Sequence, residues 1–166
     1  MSRAFVKEDG PDNEPLPDLP ISPHANYVTP RGLRMLSARL AERQAALQRL
    51  KARADRLDRL PEKAAERDIR YLEARLRTAI VVDPASQTRD EAAFGAMVTV
   101  ADEDGAETVY EITGEDEADA TAGRIAPHSP LARALLGAKV GDVVTWARPA
   151  GAVELEVIAI RYGEAD

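Results

Sequence analysis

Apolar positions in the middle of the chain recur at helical spacing. Leu33, Leu36, Leu40, Leu47, Leu50, Ala54 and Leu57 fall on alternating three- and four-residue steps, broken only by Arg43. This is the stripe of a helix that packs along one partner. Thr29-Pro30 supplies its start, with threonine as N-cap and proline in the first turn, and Gly32 is a mild weakness just inside. The next proline, in Leu60-Pro61, gives a stop and a new first turn, after which Ala65, Ile69, Leu72, Leu76 and Ala79 repeat the spacing. The pattern predicts two antiparallel helices, residues 30–59 at about 45 Å and residues 62–79 at about 27 Å. Those lengths do not match. Either the first helix overhangs and packs its early turns on the C-terminal domain, or it breaks before Arg59 and the connection is longer.

After Ile80-Val81-Val82-Asp83-Pro84 helical periodicity ends. Residues 97–100 and 108–112 have β-type composition and flank Asp102-Glu103-Asp104-Gly105, a hairpin turn signal. Residues 143–146 and 155–160 flank Pro149-Ala150-Gly151, a second one. Between them Ser129-Pro130 reads as N-cap and first-turn proline, residues 131–136 as a short helix and Gly137 as its terminator. The prediction is an α+β chain: a helical hairpin, then a small antiparallel sheet of at least four strands with one inserted helix. Ahead of the hairpin, Pro11, Pro15, Pro17, Pro20 and Pro23 stand among acids and small residues, a composition that buries too little to offset the entropy of ordering. Residues 1–28 are therefore expected to form a flexible acidic tail, whose last part, Ile21-Ser22-Pro23-His24 with Tyr27 and Val28, has enough apolar character to lie extended against the rest. The expected divisions are 1–28 tail, 29–80 coiled-coil hairpin, 81–93 linker and 94–163 sheet domain.

Composition narrows the chemistry. The 166 residues include no cysteine and two histidines, His24 and His128. This excludes disulfides, thiolate nucleophiles and cysteine zinc sites, and the histidines are too far apart in sequence to suggest a metal cluster. No apolar run approaches a membrane span and the N-terminus lacks a signal peptide's apolar core, so the expected location is cytoplasmic with no membrane partner. The net charge of −7 hides a segregation: residues 1–28 carry −3, residues 29–80 carry +7 and residues 81–166 carry −11. A basic element between acidic flanks orients a molecule in the field of a polyanion or an acidic cleft, while the plainer reading is a solvated helical surface. No Gly-x-Gly-x-x-Gly, phosphate-binding Gly-x-x-x-x-Gly-Lys or Gly-x-Ser-x-Gly motif is present, so the chain is read as a non-enzyme without a cofactor.

A proline-led helical hairpin followed by Phe94-Gly95-Ala96-Met97-Val98, Gly114-Glu115-Asp116-Glu117, Ser129-Pro130-Leu131-Ala132-Arg133-Ala134-Leu135-Leu136-Gly137, Val140-Gly141-Asp142 and Pro149-Ala150-Gly151 resembles the GreA/GreB transcript cleavage factor family. The blocks match in order and spacing over about residues 27–162, most specifically in the C-terminal half. The resemblance implies an FKBP-like C-terminal domain that docks on the rim of the secondary channel of bacterial RNA polymerase, with an antiparallel coiled coil pointing inward. It further implies a monomer, with at most indirect contact with nucleic acid in the elongation complex. In the family, two tip carboxylates in an Asp-x-x-Glu pattern help hold a second magnesium ion that hydrolyses backtracked RNA, because a hard cation needs further oxygen ligands to activate water there.

The chain departs from the family at two places. No Asp-x-x-Glu turn occurs in residues 29–79, and the second helix, counted back from Ile80, runs out at Pro61 before the family's tip is reached. Asp55, Asp58 and Glu62 are the acids nearest the turn, interleaved with Arg53, Arg56, Arg59 and Lys63. Where the family commonly has an acid before Ser-Pro, this chain has His128. His128, Ser129, Pro130 and Arg133 are the candidate polymerase contacts. The expectation is a regulator of transcription elongation that binds polymerase with weak or no stimulation of RNA cleavage. The alternatives are a cleavage factor with a tip rebuilt from Asp55, Asp58 and Glu62, a regulator of nucleoside diphosphate kinase as in relatives with a shortened coiled coil, and a direct nucleic-acid binder using the basic hairpin. The last has only Tyr71 as an aromatic in that segment.

Overall fold

The computed structural model describes residues 13–87 and 90–163. These gather into two compact units, one made of residues 13–23 and 37–77, the other of residues 24–36 and 78 onward. Thr88, Arg89 and the expected tail's residues 1–12 lie outside the described residues.

In the first unit, helix α1 (Pro30–Lys51) contributes its residues from Ser37 and helix α2 (Leu60–Thr78) all but its last. Ala65 and Leu72 of the predicted stripe are buried. Ion pairs between the helices include Arg43 to Asp68 and Lys51 to Glu66, each at 3.5 Å. All four side chains are partly exposed, so each pair contributes little. The first helix does not reach Arg59: it ends at Lys51, the second of the two alternatives above. Arg53 lays its guanidinium on the Leu50 carbonyl at 3.3 Å, a cation on the unsatisfied end of the helix. Leu57, drawn into the apolar stripe by its spacing, is 93% exposed.

Residues 13–23, expected as part of the tail, lie along α2 instead. Arg70 donates to the Asp18 carboxylate at 2.6 Å and to the Leu16 carbonyl at 2.8 Å, and Arg59 donates to the Asn13 side chain at 3.0 Å. Arg70 on the helix and Arg59 just before it supply hydrogen-bond partners that composition alone does not reveal.

The second unit is built on a five-stranded sheet in the order β5-β4-β3-β7-β6. Its strands are β3 (Ala96–Ala101), β4 (Glu107–Ile112), β5 (Arg124–Ile125), β6 (Val143–Trp146) and β7 (Val153–Tyr162). Both predicted hairpins form, closed at Ala101↔Glu107 and Trp146↔Val153. Gly105, at φ +79°, takes the left-handed position the first turn requires. The sheet is not wholly antiparallel as predicted, because β5 pairs parallel to β4. A two-residue strand is too short for periodicity to reveal. The same is true of β1 (Tyr27–Val28), which pairs in parallel with β2 (Ile80–Val81).

Helix α3 (Pro130–Leu135) brings Leu131, Ala132 and Leu135 into one buried cluster with Val98, Val100, Ile112, Leu155 and Val157. Each such aliphatic side chain contributes about 1.5–3 kcal/mol by leaving water. The expected linker 81–93 is partly structured. Asp83 caps the short helical turn Pro84–Ser86, and Ala92 exchanges backbone hydrogen bonds with Gly137 and Ala138 at 2.7 and 2.8 Å. Among the described residues no helix is long and apolar enough to cross a membrane.

Candidate functional site

The three acids at the helical turn are all engaged by the protein itself. Asp55 accepts from the Leu57 amide at 3.0 Å and Asp58 from the Leu60 amide at 2.9 Å. Both are side-chain-to-backbone turns of the kind short acids form in loops, the second leading directly into α2. Glu62, only 1% exposed, receives Arg56 as a two-pronged fork at 2.9 and 2.7 Å, with Arg59 at 3.7 Å. The Arg56 hydrogen bonds hold the Glu62 carboxyl below its ordinary range against the opposing effect of burial, with the fields of Arg56, Arg59 and Arg53 adding to them. The one buried carboxylate, Glu62, is already paired with a guanidinium, and Asp55 and Asp58 each give one oxygen to a backbone amide. Among the described residues no group of three or more metal-ligating side chains is placed to hold an ion.

The candidate docking residues sit at the start of α3. Ser129 caps the helix, its hydroxyl accepting from the Ala132 amide at 3.3 Å and donating to the Ala126 carbonyl at 2.8 Å. Pro130 occupies the first turn, and it and Arg133 are exposed on a helix whose other face is anchored in the core. His128 stacks on His24, ring centroids 3.6 Å apart and planes inclined by 20°. The two histidines, distant in sequence, are neighbours, although their nitrogens lie in stacked rings and do not converge on a point. His128 Nε2 is buried without a hydrogen-bond partner among the described residues.

One polar cluster escaped the sequence reading. Glu117, from a tight helical turn at Glu115–Glu117, is buried against the first turn of α1. It accepts from the Thr29 hydroxyl at 2.6 Å and pairs with Arg31 at 2.5 Å, and Arg31 also reaches Glu111 at 2.8 Å. Burial lowers the Arg31 pKa, but the Glu117 hydrogen bond and the neighbouring carboxylates outweigh it and leave the guanidinium held above its ordinary value. A signal for this existed in Gly32. A Cβ there would stand 2.7 Å from Glu117 Oε2, so the glycine that weakens the helix on propensity grounds is what admits the carboxylate to its N-terminus.

A family model described as the C-terminal part of the transcription elongation factor GreA/GreB matches residues 87–162. Transcription elongation factor GreA of Alkalilimnicola ehrlichii is 45% identical over 96 residues, covering 57% of this chain and 61% of that one. Transcription elongation factor GreB of Neisseria meningitidis serogroup B is 34% identical over 157 residues, covering 85% of this chain and 96% of that one. The chain thus spans about three-fifths of the first relative (61%) and nearly all of the second (96%). Among solved structures, the crystal structure of GreA factor homolog 1 of Thermus thermophilus covers 83% of this chain and 99% of its own, at 27% identity and a TM-score of 0.39.

Proposed function

The chain belongs to the GreA/GreB family of transcription elongation factors, and on that premise we propose that it regulates elongation by docking on bacterial RNA polymerase at the secondary channel without stimulating RNA cleavage. The second unit is the grip and the two-helix segment is a short basic arm. What supports docking through α3 is the combination of a capped, core-anchored helix with Pro130 and Arg133 exposed on it. Segregated charge supports a defined orientation, since an arm at +7 and a C-terminal segment at −11 feel opposite forces in one field.

The observation that carries the lack of cleavage is the engagement of Asp55, Asp58 and Glu62 described above. To serve a second magnesium ion, Glu62 would have to leave its arginine fork and break a charge pair that the fold has already formed. Pull-down with core polymerase, followed by an RNA release assay on the same backtracked complex, tests the reading. The chain is retained, Arg133→Glu weakens retention, and release of 3′ RNA fragments is not accelerated. Failure to bind polymerase, or acceleration that Asp58→Ala abolishes, would overturn it.

A further inference from the structure

Residues 13–23 include four of the five N-terminal prolines, at positions 15, 17, 20 and 23. They form neither helix nor strand beyond Asn13, yet their exposure is periodic: Leu16, Leu19 and Ser22 are half-buried while the residues between them are exposed. A step of three is the repeat of a polyproline II helix, which has no internal hydrogen bonds and presents one face per turn. The face presented here meets a matching surface. Leu19 lines two shallow cavities of about 300 and 290 Å³, one bounded by Arg70, Tyr71 and Ala74 of α2, the other by Arg39 and Arg43 of α1 with Tyr71 and Leu72 of α2. Tyr71, the single aromatic in residues 29–80, borders both. Arg70 closes the arrangement by holding the Asp18 carboxylate and the Leu16 carbonyl together.

An aromatic side chain flanked by a cation that takes up both a backbone carbonyl and an acid is the chemistry by which grooves recognise extended proline-rich segments. We infer that the face shared by α1 and α2 in the first unit is a recognition groove for an extended, acidic, proline-rich segment, and that residues 13–23 of this chain are its resident occupant. The inference is independent of polymerase binding. It accounts for a tyrosine on an otherwise charged arm and for order in a segment whose composition argues for disorder. The Asp18 side chain is 75% exposed, so its ion pair is screened by salt and the segment is releasable.

The test uses the full chain. A fluorescent peptide of residues 13–23 is titrated against the unaltered chain and against Leu16→Asp/Leu19→Asp, which frees the groove. The expected result is binding to the double variant, weakened about tenfold by adding Arg70→Ala, and no binding to the unaltered chain, whose tethered segment outcompetes the free peptide. Lack of binding to a double variant of unchanged helical circular dichroism, or equal binding to both chains, would overturn the inference. A second measurement covers a variant that loses its helices. In the unaltered chain, heteronuclear NOE values of Leu16, Asp18, Leu19 and Ser22 match those of α2 and fall in Arg70→Ala; coil-like values in the unaltered chain would overturn it.

Discussion

Thr29 works in two directions at once: its Oγ1 accepts from the Gly32 amide at 3.0 Å and donates to Glu117 Oε2 at 2.6 Å, 88 residues away. The hydroxyl that caps α1 is thereby oriented by a carboxylate from a distant turn. That carboxylate in turn stands at the positive end of the helix.

This arrangement inverts the usual effect of glycine in a helix. Gly32→Ala ordinarily stabilises by about 0.5–1 kcal/mol. Here the new Cβ meets Oε2 of a carboxylate held at both oxygens, Oε2 by Thr29 and Oε1 by Arg31, and so unable to swing aside. The expected outcome is a loss of about 1–3 kcal/mol, measured by urea denaturation followed through Trp146 fluorescence. A stabilising Gly32→Ala would mean that the carboxylate is not held there.

Glu117→Gln keeps the shape and removes the charge that Arg31 pairs with. Hydrogen bonds to charged groups are worth about 1.5–3 kcal/mol, reduced here because the Arg31 side chain is 41% exposed. A loss of about 1–2 kcal/mol is expected. In a double-mutant cycle with Arg31→Ala the two changes should be clearly non-additive, and additivity would assign the cluster no coupling.

Acid should loosen the arm through Glu62. Its carboxyl is held below the ordinary value in the folded chain, chiefly by the Arg56 hydrogen bonds. The folded state therefore binds fewer protons than the unfolded one in that window. The stability this contributes is fully present above the unfolded-state value of about 4.3 and is lost as pH falls through the lower folded value. Helical ellipticity during thermal melts at successive pH values measures it. Glu62→Gln should flatten the acid limb, and an unchanged acid limb would place the sensitivity elsewhere.

Asp58→Ala removes the side-chain acceptor of the turn that leads into α2 and is expected to cost about 0.5–1.5 kcal/mol, the net worth of one hydrogen bond. Thermal melts of the helical signal check this. Asp58→Asn, which keeps the accepting oxygen, should recover most of the loss; a deficit equal to that of Ala would mean that the charge and not the hydrogen bond matters.

Truncation of Leu135, fully buried under the sheet, is expected to cost about 2–5 kcal/mol as Leu135→Ala. It should also weaken retention on polymerase, because the capped start of α3 is positioned by that anchor. Denaturation and pull-down on the same preparation separate the two effects.

Local rules were enough for much of this chain. Thr29-Pro30 and Ser129-Pro130 announced two helix starts, the leucine spacing announced α1 and α2, and the turn signals at Gly105 and Gly151 announced the two hairpins. Each depends on residues within one turn or one strand of each other, where spacing and backbone preference suffice. The remainder depends on partners far along the chain. Periodicity could not say that Glu117 would cover the first turn of α1, that His24 would stack on His128, or that Arg70 would hold Asp18 against α2. Nor could it foresee a two-residue strand such as β5, which exists only because a neighbouring strand supplies its hydrogen bonds; for Tyr27 and Val28 apolar character told only that they lie extended, and the fold chose Ile80 and Val81 as their partners. The same limit applied at the turn, where spacing showed three acids among arginines. Only folding decided that Arg56 would lock Glu62 away and that Asp55 and Asp58 would each bond a backbone amide, because what a carboxylate binds depends on which donors the fold brings to it.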